Sequence, residues 1–142
     1  MIRDYREADI DQVMDIWLSA SIKAHDFVEP AYWESKLSDM RSVYIPTSET
    51  FVFEVNGQVA GFYCLFGNAL AAIFVSPDYQ GRGIGACLLN DAKSRRESLT
   101  LTVYRANDRS IKFYERHGFH SRGEQMDSYT GHPELIMEYR SY

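Results

Sequence analysis

The sequence has 142 residues, 45% hydrophobic and 25% charged, so we expect one globular domain over residues 1–142, with a packed core. The net charge of −5 argues against a nucleic-acid-binding face as the main function, and no apolar run approaches the ~20 residues that cross a bilayer. The N-terminus is charged and lacks the apolar stretch of a signal peptide, which predicts a cytoplasmic protein. We expect no membrane partner, and the oligomeric state is open between a monomer and a homodimer. Cys64 and Cys87 form no zinc pattern, and we expect no metal.

Hydrophobic periodicity and turn signals predict the elements in chain order. The first half reads as a strand at 2–5, a helix at 8–24 with Asp9 as a possible N-cap, a helix from about 30 to 43, a loop at 45–48, and strands at 51–55, 58–66 and 69–75. The second half reads as a helix from about 83 to 96, a strand at 99–104, a helix at 109–117, a strand from Phe119 and a last strand at 135–139. The turns Asn56-Gly57 and Gly67-Asn68 make the middle three strands antiparallel. The order predicts an α/β (α+β) fold, with a mixed sheet and helices on its faces.

A glycine-rich loop after the third of these strands is the most informative stretch. The apolar run ends at Val75, and Pro77 ends the strand because proline has no N–H for the ladder. Gly81, Gly83 and Gly85 then leave no Cβ in the way of a ligand, just before a predicted helix. Several N–H groups at a helix N-terminus favour phosphate, and Arg82 adds a positive charge.

Two kinds of phosphate ligand fit this loop. Gly81-x-Gly83-x-x-Ala86 satisfies the dinucleotide fingerprint, but that fingerprint opens a parallel βαβ unit and needs an acidic residue about 20 positions later. Leu101 and Thr102 stand there instead. A nicotinamide-dependent enzyme is therefore the weaker interpretation.

The second interpretation is a resemblance to a family. Gln80-Gly81-Arg82-Gly83-Ile84-Gly85 resembles the Q/R-x-x-G-x-G/A signature of the GNAT superfamily of N-acetyltransferases, and Val75–Tyr79 resembles its V-x-P-x-Y. Downstream, Asn107–Phe119 is similar to N-x-x-A-x-x-F/L-Y-x-x-x-G-F, with Ser110 in place of alanine. The resemblance implies a mostly antiparallel central sheet of about seven strands, flanked by four helices and splayed after the fourth strand.

The resemblance also implies that acetyl-CoA is the cosubstrate. The N–H groups from Gly81 to Ala86 would hold its pyrophosphate, and the strand end at 73–75 would pair with the pantetheine arm. Asn107 matches a side chain that hydrogen-bonds the arm, although it also suits a plain helix cap. The cofactor-binding residues implied in this way are Ile73, Phe74, Val75, Gln80, Gly81, Arg82, Gly83, Ile84, Gly85, Ala86, Asn107 and Tyr114.

For catalysis, Tyr114 matches the general acid of the family, and its alternative is a core aromatic beside Phe113. Some members carry a glutamate base where this chain has Thr102. His25, between the first two helices, is our substitute as base or acceptor-site residue, because imidazole titrates near neutrality. Asp26, Glu54 and ordered water are further options.

The acceptor implied by the resemblance is a primary amine, on a protein lysine or N-terminus or on a small molecule. Candidate acceptor contacts are Phe27, Tyr32, Trp33 and Tyr129. The missing acid at Thr102 leaves open a non-catalytic CoA-binding or regulatory protein on the same fold.

Overall fold

The computed structural model describes residues 1–141. The strands are β1 (Ile2–Asp4), β2 (Glu49–Val55), β3 (Gln58–Phe66), β4 (Ala69–Val75), β5 (Ser98–Tyr104), β6 (His120–Met126) and β7 (Pro133–Arg140). The main helices are α1 (Ile10–Ala24), α2 (Pro30–Ser35), α3 (Ile84–Arg95) and α4 (Asp108–Arg116). No helix in this part of the chain is long and apolar enough to cross a membrane.

Over the described residues the strands form one sheet in the order β1-β2-β3-β4-β5-β7-β6. Every neighbouring pair is antiparallel except β4 and β5, which are parallel. The predicted mixed, mostly antiparallel sheet with four flanking helices is thus confirmed. The hairpin between β2 and β3 is also confirmed: Asn56 has φ 51° and Gly57 φ 81°, which matches the twist of a two-residue turn.

Helices cover both faces of the sheet, so two hydrophobic clusters form. On β3, Phe62 and Cys64 face the cluster that α1 and α2 complete with Trp17 and Trp33. Tyr63 and Leu65 face the opposite cluster, which includes Leu88 of α3 and Phe119. The side chains of β3 are apolar on both faces because this central strand is buried on both sides.

Asp9 is the N-cap residue of α1, as predicted, but its side chain makes no capping hydrogen bond to that helix. The Asp9 carboxylate accepts the Arg6 N–H at 2.8 Å and both Nη atoms of Arg3 at 2.9 Å. It therefore closes a short 3₁₀ turn (Glu7–Asp9) and ties β1 to the start of α1. The Asp9 carboxylate is buried and bidentate to Arg3, and charge-assisted pairs of this kind are stronger than neutral hydrogen bonds.

The second predicted helix, at 30–43, is interrupted. After α2, the chain continues through a helical turn (Leu37–Asp39), a π-helical segment (Met40–Tyr44) and another turn (Ile45–Thr47). The predicted loop at 45–48 is accordingly wrong over its first three residues. Ile45 is 2% exposed and packs in the same cluster as Trp17 and Trp33, and Pro46 is tolerated because it lies in the first turn of this short helical segment.

A slot opens between β4 and β5. Along the β3–β4 pair, Cys64 lies opposite Ala72 and Leu65 opposite Leu70, so Ala71 is an extra residue in β4, a bulge that bends a strand. Of the described strand pairings, β4 meets β5 only at Ala69 opposite Thr100. Beyond that point the two strands diverge, as predicted for the fourth strand, and the far end of β4 faces a cavity.

Candidate active site

A cavity of about 630 Å³ occupies the divergence of β4 and β5, with α1 and α4 contributing walls. It brings together many of the residues singled out in the sequence: His25, Trp33, Ile73, Phe74, Val75, Gln80, Gly85, Asn107 and Tyr114. Other predicted residues lie outside its lining: Phe27, Tyr32, Gly81, Arg82, Gly83, Ile84, Ala86 and Tyr129. Among these, Ile84 is 5% exposed and belongs to the core beneath the glycine loop, so only its backbone is available to a ligand.

In β4, the backbone N–H and C=O groups of alternate residues face this cavity. Gly61 lies opposite Val75, and the Ser76 N–H donates to the Ala60 carbonyl at 2.8 Å. This pattern makes Gly61–Val75 a non-hydrogen-bonded pair, so the N–H and C=O of Val75, and by the same alternation those of Ile73, point away from β3. Phe74, in contrast, pairs through its backbone with Phe62 and offers the cavity its side chain.

The glycine loop has the backbone conformation that its sequence predicts. Gly81 and Gly83 have φ 82° and 80°, values that other residues rarely adopt, and a Cβ at either position would meet nothing within 4 Å. Gly83 directly precedes α3, a helix of 12 residues. The open loop and the positive end of the helix suit an anion.

Asn107 occupies the N-cap of α4, where its Oδ1 accepts the Ser110 N–H at 3.3 Å. The same side chain lines the cavity. Because the amide also carries two N–H donors, capping and donation to a ligand carbonyl are compatible.

Tyr114 lies on α4 with its ring against Phe113 and Phe119, at centroid distances of 5.5 and 5.7 Å. It is half-buried and lines the cavity. Burial raises the pKa of the Tyr114 hydroxyl, so the group stays protonated and is a hydrogen-bond donor at neutral pH.

His25 follows α1, and its ring lies 5.0 Å from that of Trp33 and 5.1 Å from that of Tyr104. Burial lowers the pKa of His25 to about 4, and the nearby Ser21 backbone, which favours the charged ring, offsets only part of that effect. Within residues 1–141 its buried Nδ1 has no hydrogen-bond partner. A neutral imidazole with this pKa is a poor base for an ammonium ion, and it lies among aromatic rings instead.

The other predicted options for a base lie in different places. Glu54 accepts from Arg3 Nε at 2.9 Å beside β1, outside the cavity lining. Asp26 is exposed. Thr102 does line the cavity, but a hydroxyl cannot serve as the base. Over the described part of the chain, no group of three or more His, Cys, Asp or Glu residues is placed to hold a metal ion.

Sequence reasoning missed Tyr104, at the end of β5. Its hydroxyl donates to Asp127 Oδ2 at 2.5 Å, and its ring completes an aromatic cluster, defined as His25, Phe27, Trp33, Tyr104 and His132. The available signal was strand alternation: Tyr104 is two residues after Thr102, hence on the same face of β5.

The predicted acceptor residues fall in and around this aromatic cluster. The ring centroids of Phe27 and His132 are 5.0 Å apart. Trp33 is 8% exposed, and its buried Nε1 has no hydrogen-bond partner in residues 1–141. Tyr32 packs edge-on against Trp33 at 4.9 Å. Tyr129 is 75% exposed on the neighbouring loop, with Lys36 Nζ 4.8 Å from its ring centre.

Comparison with known proteins gives the fold and site a family. Residues 46–121 match the model of an acetyltransferase (GNAT) domain. The chain is 31% identical to the peptidyl-lysine N-acetyltransferase YiaC of Escherichia coli over 98% of this chain and 96% of YiaC. It is 29% identical to the peptidyl-lysine N-acetyltransferase YjaB of the same organism, over 96% of this chain and 92% of YjaB.

Solved structures agree with this assignment. The apo form of YjaB from Escherichia coli superposes with a TM-score of 0.86 at 29% identity, covering 98% of this chain and 96% of that one. The PaiA N-acetyltransferase of Thermoplasma acidophilum, solved with coenzyme A, has a TM-score of 0.80 at 19% identity over 99% and 98% of the two chains, a likeness of fold. With the domain match and the full-length relatives together, the chain belongs to the GNAT superfamily and is an N-acetyltransferase.

Proposed function

We propose that this enzyme transfers the acetyl group of acetyl-CoA to the side-chain amine of a lysine in a protein. The observation that carries the proposal is the slot beside β4. Along one edge, the backbone groups of Ile73 and Val75 are not paired with another described strand, and the slot has a glycine loop at one end and an aromatic cluster at the other. The donor thus has an open strand edge and a phosphate site to bind to, and the acceptor can enter separately, past the aromatic cluster.

The donor half of the slot suits a long, amide-bearing ligand. The N–H and C=O of Ile73 and Val75 extend an open strand edge, to which a peptide-like pantetheine arm adds as another strand would. The N–H groups of the loop from Gly81 to Ala86 are assigned to the pyrophosphate, with Arg82 beside them. Asn107 is assigned to an amide of the arm, from its place in the cavity lining.

The acceptor must reach the thioester as a free amine. A lysine ammonium has a pKa near 10.4, so about one molecule in a thousand is neutral at pH 7.4, a cost of about 4 kcal/mol. His25 titrates too low to remove this proton, and Thr102 cannot. We therefore assign deprotonation to water at the cavity and His25 to the acceptor site.

In the transfer step, the amine nitrogen attacks the thioester carbonyl carbon. The Val75 N–H faces the slot and is assigned to the developing oxyanion. As the C–S bond breaks, the nitrogen that has attacked loses its extra proton to water, Tyr114 donates its hydroxyl proton to the leaving sulfur, and solvent reprotonates the phenolate. The products are the amide and the CoA thiol. Burial raises the pKa of Tyr114, and a dry slot also raises that of the thiol, ~8.5 in water, so proton transfer is late.

The choice of lysine as the acceptor rests on the relatives and on the aromatic cluster. Both YiaC and YjaB are peptidyl-lysine N-acetyltransferases. Aromatic faces attract the flexible alkyl chain and the ammonium of such a side chain, by about 0.5–2 kcal/mol per cation–π contact. A small polyamine is the competing acceptor, because spermidine N(1)-acetyltransferase of Escherichia coli is 28% identical over 90% of this chain and 76% of that protein.

The test is thiol release from acetyl-CoA with lysine-containing peptides, N-terminally acetylated so that only the side chain is available, and with spermidine. The proposal expects turnover of the peptides, with mass spectrometry placing the acetyl group on the lysine. A higher kcat/KM for spermidine than for every peptide would contradict the protein acceptor. Tight binding of CoA without turnover of any amine would instead favour a CoA-binding regulatory protein.

A further inference from the structure

Two hydrogen bonds cross the cavity from α1 to β4. Lys23 Nζ donates to Gln80 Oε1 at 3.0 Å, and Gln80 Nε2 donates to the Val75 carbonyl at 3.2 Å. All three residues line the cavity. We call this chain of contacts the Lys23–Gln80 bridge.

The two ends of the bridge are groups that the proposed donor needs. The Val75 carbonyl faces the slot, because the ladder with β3 leaves it there. The Lys23 ammonium contacts the side chain of Gln80, which directly precedes the glycine loop. A cation there is within reach of a phosphate held by that loop, and charge-assisted hydrogen bonds are about twice as strong as neutral ones.

Cations at the cavity come from two walls. Arg109 and Arg116 of α4 line it on one side, and Lys23 is the contribution of α1. Within residues 1–141, Lys23 Nζ donates to the neutral amide of Gln80 and forms no ion pair, so its charge is available to an anionic ligand. Lys23 and Gln80 are both exposed, so their hydrogen bond exchanges with a ligand at little cost.

We propose that Lys23 is a phosphate-binding residue of the donor site and that Gln80 holds it in place until the donor binds. The inference rests on the proposed function. The pyrophosphate replaces the Gln80 amide as the partner of Lys23. An amide N–H of the pantetheine arm replaces Gln80 Nε2 at the Val75 carbonyl.

The experiment compares two ligands by calorimetry: CoA, and pantetheine, which has the arm without phosphate. For Lys23→Met we expect about tenfold weaker binding of CoA, a shallower dependence of its affinity on salt, and no loss of pantetheine affinity. For Gln80→Met we expect pantetheine to bind about threefold more tightly, because the Val75 carbonyl is released. Lys23→Arg retains the charge and is expected to retain CoA affinity.

The matched control is Lys112→Met, which removes the same charge from an exposed position on α4 outside the cavity lining. It is expected to leave both affinities unchanged. Equal weakening of CoA and pantetheine in Lys23→Met would overturn the inference in favour of a structural role, and unchanged CoA affinity would overturn it outright. Failure of the wild-type protein to bind CoA would contradict the proposed function itself.

Discussion

Tyr104 and Asp127 join the free end of β5 to the loop at 127–132, with 2.5 Å between the Tyr104 hydroxyl and Asp127 Oδ2. Thr130 Oγ1 donates to the same Oδ2 at 2.9 Å, and the Tyr129 N–H donates to Oδ1 at 3.0 Å. Burial by itself would raise the pKa of Asp127, but these donors outweigh it and lower the pKa. The carboxylate therefore stays charged and fixes the loop against the aromatic cluster.

Replacing Tyr104 by Phe removes one donor to Asp127 and keeps the ring. We expect KM for a lysine peptide to rise about three- to tenfold, from the loss of a charged hydrogen bond that positions the loop, while the dissociation constant for CoA is unchanged. Steady-state kinetics and calorimetry measure the two quantities. Glu124→Gln is the control, because its pair with Arg105 is exposed and worth little; an unchanged KM in Tyr104→Phe would rule out the positioning role.

Tyr114→Phe tests the proposed general acid. Without the hydroxyl the thiolate leaves unprotonated, so we expect kcat to fall by roughly 10²-fold or more, with CoA affinity and the unfolding midpoint preserved because the ring remains packed against Phe119. Pre-steady-state thiol release checks the chemical step. Turnover at the wild-type rate would remove Tyr114 from the mechanism.

His25 predicts a dependence of stability on pH. Its pKa is about 4 in the folded protein and near 6.5 when unfolded, because burial disfavours the imidazolium. The unfolded state therefore binds more protons below pH 6.5, so this stabilisation is complete above that pH and is lost as the pH falls toward 4. The full loss is about 3 kcal/mol.

Urea unfolding at a series of pH values measures this effect. In the wild-type protein, we expect the free energy of unfolding to fall between pH 6.5 and 4.5. This fall should be smaller in His25→Phe and should persist in the control His120→Asn, which changes an exposed residue of β6. The same His25→Phe variant is expected to leave the alkaline rise of kcat in place, since that rise reflects the acceptor amine. A rise that disappears with His25 would restore it as the base.

Gly61 provides a test of packing beneath the glycine loop. A Cβ at Gly61 would lie 2.9 Å from the Phe74 carbonyl oxygen and 3.1 Å from Leu88 Cδ1. Gly61→Ala therefore forces β3, β4 and α3 apart and is expected to cost about 1–3 kcal/mol of unfolding free energy. Gly123→Ala on β6, where a Cβ would meet nothing within 4 Å, is the matched control and should change stability by no more than about 1 kcal/mol.

The elements that local chemistry determines were predictable from the sequence. Asn56-Gly57 specifies a tight turn, and Gly81 and Gly83 adopt the left-handed conformation that glycine permits. The order of strands and helices followed from the hydrophobic periodicity. The divergence of β4 from β5 followed from the family resemblance. Asn107 as an N-cap was readable from its place before an amphipathic run.

What escaped prediction depends on partners distant in the chain. The carboxylate of Asp9 is directed by Arg3 across a turn, and Tyr104 acquires its role from Asp127, which lies 23 residues later. The π-helical segment at 40–44 directly precedes the buried Ile45, and its i→i+5 hydrogen bonds have no signature in local propensity. His25 lies between the first two helices, as predicted. Its pKa depends on how deeply the neighbouring rings bury it, and this could not be seen in the sequence.

The bulge at Ala71 has a consequence for the lifetime of the protein. It leaves the backbone groups of Ile73 and Val75 without a neighbouring strand. If the proposed function is right, the donor pairs with these groups as an added strand would. Ligand at 100 times its dissociation constant stabilises the native state by about 2.7 kcal/mol, and the amides of Ile73 and Val75 would then exchange their hydrogens with solvent far more slowly. The metabolic supply of acetyl-CoA would thereby set how resistant the enzyme is to unfolding and proteolysis, as well as how fast it works.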